Sequence, residues 1–186
     1  MGRLSSPSQV ILIAEDEAHE RFVRRYLYKV GYKSHHIDSH IANEGRGSGE
    51  QFVRDSYCKW VEACRRRSKS KKASTALVVV IDADPKNTVV DRRAQFQESL
   101  KKAGLQSISA NERISHLVPK RHIETWILCL TGTEVDENSD YKNHRNLDFK
   151  SAANRLFELT RANVRLPDQC IPSLAEGISE ARRLEV

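Results

Sequence analysis

Apolar residues along this chain fall into two kinds of pattern, and the two alternate. Residues 10–14 (VILIA) and 76–81 (ALVVVI) are unbroken apolar runs rich in β-branched side chains. That is the pattern of strands buried on both faces, as in a parallel sheet. Elsewhere the apolar positions recur at helical spacing. Phe22, Val23, Tyr26, Leu27 and Val30 mark one amphipathic helix, stopped by Gly31. Phe52, Val53, Tyr57, Trp60, Val61 and Cys64 mark a second. Residues 91–103 predict a charged helix closed by Gly104, residues 113–118 a short strand ended by Pro119, and residues 120–131 a mostly buried helix capped by Gly132. Residues 32–41 predict a further strand, 134–146 a polar loop, and 148–162 and 172–184 two last helices. Trp60 and Trp126 sit in phase with apolar neighbours and are expected in the core.

Strands alternating with amphipathic helices predict an α/β fold, a mostly parallel sheet wrapped by helices on both faces. One domain over residues 10–131 is expected, after a tail (1–9), with a C-terminal loop and helices (132–186) packed on it. No apolar run approaches the ~20 residues of a membrane span. The opening residues lack a signal-peptide pattern, so a cytoplasmic protein is expected. The four cysteines (58, 64, 129, 170) form no CxxC pair and are expected to be free thiols.

Charge changes the picture locally. The 186 residues carry a net charge of +6, and the six cations of one block, Arg65, Arg66, Arg67, Lys69, Lys71 and Lys72, account for all of it. Such a block neutralises phosphates and is a candidate nucleic-acid contact; it also serves as a solvated loop.

In parallel sheets, ligands bind beyond the carboxyl ends of the strands. Glu15, Asp16 and Glu17 follow the first apolar run, Asp82 and Asp84 the second, and Lys120, Arg121, His122 and Glu124 the third strand. Carboxylates gathered on one rim repel unless a cation neutralises them, and hard oxygen ligands suit magnesium or manganese. Asp16, Glu17 and Glu20, taken singly, read as helix-capping or solvated acids. Asp82 and Asp84, two apart after six apolar residues, read as ligands.

Glu15, the Asp82-Ala83-Asp84 triplet and Glu124, in that order, resemble a Toprim domain, and LVPKRHIETWILCL resembles the Ile-Glu-x-Trp segment of small stand-alone Toprim-like proteins related to OLD-family nucleases. The resemblance spans about residues 10–131. It implies a Toprim-like, Rossmann-like sheet and metal-dependent phosphodiester cleavage of DNA or RNA. It also implies an effector role beside an ABC-type ATPase in bacterial anti-phage defence, with a homodimer allowed. By the same resemblance Glu15 is ligand or general base, Asp82 and Asp84 hold the metal, and Glu124 holds a second ion or orients water. Lys120 or Arg121 would stabilise charge on phosphorus. The chain departs from the pattern at Asp16, where glycine is usual, and at His19, where a second acid is usual. Glu20 is the adjacent substitute, and His19 is either a ligand or a helix-surface residue. A degenerate, binding-only version of the domain is the alternative that these departures open.

The opening VILIAEDEAHERFVRRYLYKVGY also resembles a response-regulator receiver, with Glu15, Asp16, Asp82 and Lys120 in the acidic-pair, phosphoacceptor and lysine roles. The 66 residues between Asp16 and Asp82 are long for a receiver. Two weaker features remain. Residues 43–49 (NEGRGSG) read as a flexible loop lacking a full phosphate-binding pattern, and His35, His36 and His40 offer at most two converging imidazoles if they lie on a strand.

Overall fold

Both continuous apolar runs become neighbouring strands at the centre of one sheet. β1 (Gln9–Ala14) and β3 (Thr75–Val80) pair in parallel, with Gln9 opposite Thr75 and Ala14 opposite Val80. β2 (Ile37–Ile41) pairs with the other side of β1 and β4 (Ile114–Leu117) with the other side of β3. The order is therefore β2-β1-β3-β4, all parallel, which is the expected α/β architecture. The structure, a computed structural model, describes residues 9–42, 48–69, 74–84 and 86–184.

Alternation along the central strands divides the core in two. Val10, Leu12, Val78 and Val80 pack against α1 (Glu17–Val30), α4 (Ile123–Leu130), α5 (Phe149–Thr160) and α6 (Pro172–Ala181). Ile11, Ile13, Leu77 and Val79 pack against α2 (Gly49–Ser68) and α3 (Val89–Lys102). The C-terminal helices thus belong to the same core as the sheet. Trp126 joins them: it is fully buried, and its indole N–H donates to Ser173 Oγ at 2.8 Å. Gly177 on α6 makes room for that ring, since a Cβ there would lie 2.2 Å from it. Trp60 differs from expectation. It is half-buried at the edge of the core, with His40 stacked on it at 4.0 Å and the Lys59 ammonium 4.9 Å from its ring centroid.

Several boundaries move for local reasons. His35 and His36 lie in a 3-10 turn (Ser34–His36) and not on a strand, so the alternation argument does not govern them. The last buried helix starts at Ile123, because His122 has extended backbone (φ −147°, ψ 143°) after Pro119. α2 runs on to Ser68, which makes Arg65, Arg66 and Arg67 its last turn and not part of a loop. Lys71, Lys72 and residues 43–47 of the glycine-rich segment lie outside the described residues. All four cysteines are free, and among the described residues no helix is long and apolar enough to cross a membrane.

The outer edge of β4 is closed by the end of α6 and the 3-10 turn Arg182–Leu184. Glu180 accepts the His116 N–H at 3.0 Å, and Arg183 donates to the Ile114 carbonyl at 3.1 Å. Burial pushes the Glu180 carboxyl up, but the His116 ring and amide and the Arg183 charge outweigh it and bring the pKa from 4.5 down to about 2. Its folded pKa lies below its unfolded one. The contribution is therefore complete above pH 4.5 and fades as pH falls toward 2. Urea denaturation of Glu180→Gln should show a loss on the order of 2 kcal/mol at pH 7 that disappears at pH 2. An equal deficit at both pH values would refute the role.

Candidate functional site

The chain leaves β1 toward β2 on one side and returns across β1 to reach β3 on the other. The carboxyl ends of β1 and β3 are therefore the topological switch point, where loops diverge and leave a crevice. Glu15 is the first residue after β1 and Asp82 the second after β3. They meet there: a Glu15 carboxylate oxygen accepts the Asp82 backbone N–H at 3.0 Å. α2 closes on the same spot, because a Cβ on Gly49 would lie 1.9 Å from the Glu15 carbonyl oxygen. Only glycine lets the helix start so near the strand end.

His19 sits between the acids. Its Nδ1 is 2.7 Å from an Asp16 carboxylate oxygen and its Nε2 is 2.9 Å from one of Asp82, with the side chain 1% exposed. Asp16 is also the N-cap of α1, accepting the His19 backbone N–H at 3.0 Å. Burial works against the charged imidazole, but Asp82 and Asp16 outweigh it and raise its pKa well above the usual 6.5. The carboxylates respond in turn. Burial works against the charge of Asp16 and Asp82, yet His19 holds both below the usual range, with His122 adding to the effect on Asp82. Glu15 goes the other way: burial, then the Asp82 charge, pushes its pKa up, with only partial relief from His19.

Glu124, on the first turn of α4, is 9% exposed; the charges of His19, Asp82 and Asp16 act on it, but it is not in the grouping able to hold a metal ion. Burial raises its pKa. His122 reaches the other Asp82 oxygen, with Nδ1 at 3.8 Å, and its Nε2 lies 3.3 Å from Asp140. Glu15, His19 and Asp82 each offer one ligand atom within 4.8 Å of the others, a grouping able to hold a metal ion. It mixes carboxylates with an imidazole, a set that manganese accepts more readily than magnesium. An open groove of about 690 Å³ leads in, lined by Glu15, Asp16, Glu17, Arg21, Ile41 and Phe149, with Arg21 stacked over Phe149 at 4.5 Å.

Four expected site residues point elsewhere. Glu20 is bound to Arg24 Nε (2.5 Å) and Ser39 Oγ (2.9 Å), on the side of α1 that faces β2, so it is no substitute for an acid at position 19. Asp84 has left-handed backbone (φ 78°), which ends the alternation that would aim it with Asp82, and it is not in the metal-capable group. Lys120 donates to the Asn87 carbonyl, and Arg121 to the Asn138 carbonyl and to Asp140. Neither cation bonds Glu15 or Asp82 directly, although Arg121 Nε also donates to His122 Nε2 at 3.3 Å.

The described cations of the basic block, Arg65, Arg66, Arg67 and Lys69, lie at the opposite end of the sheet. The last turn of α2 sits beside the start of β3, where Ser68 Oγ donates to Thr75 O at 3.0 Å. A six-residue strand separates that end from the acids by ~20 Å. Arg65 is committed to Glu112 (2.6 Å) and to the Gln106 and Ser107 carbonyls, and Arg67 to Asp38 (3.1 Å). Arg66 and Lys69 are exposed.

Arg92 was not foreseen from the sequence. It is fully buried on α3 and donates to the Asp82 and Ala83 carbonyls (3.2 and 3.4 Å) and to Glu50 and Gln95 (2.7 and 2.8 Å). It therefore fixes the turn that presents Asp82. The available signal was its phase, since Val89, Arg92, Phe96 and Leu100 share the buried face of α3. Arg92→Met should cost about 3 kcal/mol in urea denaturation by stranding those acceptors. Arg54→Met, which removes the exposed partner of the same Glu50, should cost under ~0.5 kcal/mol. Equal small losses would refute the anchoring role.

The chain matches no family model, no curated protein and no solved structure.

Proposed function

We propose that this rim is the centre of a metal-dependent nuclease that cleaves phosphodiester bonds in DNA or RNA. The observation that carries the reading is the meeting of Glu15 and Asp82, 67 residues apart, through a 3.0 Å hydrogen bond at the switch point of the sheet. Glu15, Asp82 and Glu124 would hold the ion. A divalent ion bound there supplies Lewis-acid polarisation of a phosphoryl oxygen and a lowered pKa for water. The residues do the rest. Asp82 is held in place by His19, His122 and the Arg92-braced turn. Glu15 lines the groove and can accept a proton from water entering it. That groove also carries Asp16 and Glu17, so a polyanion approaches only with cationic compensation. The Toprim resemblance supports the same reading in part, because two of its ordered acids, Glu15 and Asp82, meet, while Asp84 of the triplet does not join them.

Nucleic acid as substrate, an ABC-type ATPase as partner and a cytoplasmic site of action belong to this reading, and the four free cysteines accord with a reducing compartment. One observation favours a second reading. His19 already bridges Asp16 and Asp82 at 2.7 and 2.9 Å, as expected of a silent, binding-only subunit. A receiver role has less support. Asp82 is engaged by His19 and His122, and Lys120 bonds to the Asn87 carbonyl.

Incubation of labelled DNA and RNA with Mn²⁺ should give cleavage that falls at least ~100-fold in Glu15→Gln and in Asp82→Asn with circular dichroism unchanged. Full activity in either variant would sink the assignment, and absence of any cleavage in the wild type would favour the silent subunit. In a binding titration, Arg66→Gln with Lys69→Gln should reduce the slope of log affinity against log salt by up to ~2. An unchanged slope would show that the block only solvates the chain.

A further inference from the structure

His19 stands where its two ring nitrogens have different jobs. Nδ1 is held by Asp16 at 2.7 Å, and Asp16 is itself fixed as the N-cap of α1. Nε2 points at Asp82 and lies in the ligand grouping with Glu15. A carboxylate on one imidazole nitrogen with the other turned to a cluster of acids is the arrangement by which proteins orient a metal-binding histidine. Ligand atoms around a divalent transition ion at about 2 Å lie up to ~4 Å apart, so a group already within 4.8 Å needs little adjustment. Glu124 on the first turn of α4 is buried close by, where the charges of His19, Asp82 and Asp16 act on it.

We propose that His19 is a metal ligand, oriented by Asp16, and that with Glu15, Asp82 and Glu124 it forms a mixed nitrogen–oxygen site for one transition ion of the manganese–iron–cobalt–zinc class in preference to magnesium. The inference rests on the metal reading above and deepens it by assigning the ion. Imidazole suits the borderline ions, whereas magnesium keeps oxygen ligands and sheds water reluctantly. His122 is a positioning residue in this scheme, holding the second Asp82 oxygen.

The test is metal binding by the full chain after chelator treatment, followed by calorimetry with Mn²⁺, Zn²⁺ and Mg²⁺ and by the visible absorption of added Co²⁺. Expected is one tight equivalent of each transition ion and at least ~10-fold weaker Mg²⁺. His19→Gln should weaken Mn²⁺ and Co²⁺ and change the cobalt spectrum, and Asp16→Asn should weaken both by ~10–100-fold. His19→Asp, which makes the set all-oxygen, should bring Mg²⁺ level with Mn²⁺. If His19→Gln does not fold, the other two variants decide. Absence of ion binding in the wild type, or equal Mg²⁺ and Mn²⁺ affinities indifferent to position 19, would overturn the proposal. Magnesium-supported cleavage untouched by His19→Gln would leave the nuclease standing and this inference fallen. Tight His19-dependent binding without cleavage would do the reverse.

Discussion

Two carboxylates brought side by side at a buried strand end repel each other and lose water, and either effect alone would drive a proton onto one of them. Here the acids are Glu15 and Asp82, and the answer is the His19 imidazolium, clamped between Asp16 and Asp82 at 2.7 and 2.9 Å. That clamp explains why Asp82 stays ionised despite burial while Glu15, farther from full compensation, has its pKa raised. Removing the histidine charge would leave Asp16 and Asp82 to share one desolvated corner. The surrounding structure is arranged around this electrostatic constraint. Asp16 caps α1 and sets the ring, while Arg92 and His122 hold the turn and carboxylate of Asp82 from the far side.

The topology makes the constraint unavoidable. With β1 and β3 adjacent and parallel, whatever follows each strand emerges at the same rim, and the helices that leave it run to opposite faces. An acid after each strand must therefore meet the other. The same geometry sets Arg65, Arg66 and Arg67 apart from the acids, since the end of α2 lies a strand length away. Lys120 and Arg121 are engaged by main-chain carbonyls and Asp140, and Arg21 stacks on Phe149 in the groove, so the group bonded directly to Asp16 and Asp82 is His19.

The sheet was legible because strands buried on both faces leave continuous apolar runs, and the acids at their ends were legible because strand ends are where polar residues can face a crevice. Other features were hidden for physical reasons. Asp84 follows Asp82 at strand spacing, but a positive φ breaks that spacing, and composition carries no sign of it. Arg65 looked like one cation among six, and its partner Glu112 lies 47 residues away. His19 and Glu20 were separable in principle. Position 19 falls in phase with Phe22, Val23, Tyr26 and Leu27 on the buried stripe of α1, while position 20 does not. A titratable residue on an apolar stripe, next to a strand-end acid, was the available clue. Arg92 shows the same signal on α3.

The central claim is that the buried histidine and the two strand-end acids form one cation-binding unit. Crystals of the full chain soaked in Mn²⁺ and measured at the manganese absorption edge test it most directly. A single strong anomalous peak within coordination distance of Glu15, His19 Nε2 and Asp82 is the expected result, with the His19–Asp82 hydrogen bond replaced by metal ligation. A map with no peak at that position, and His19 still bridging Asp16 and Asp82 at saturating manganese, would contradict the account.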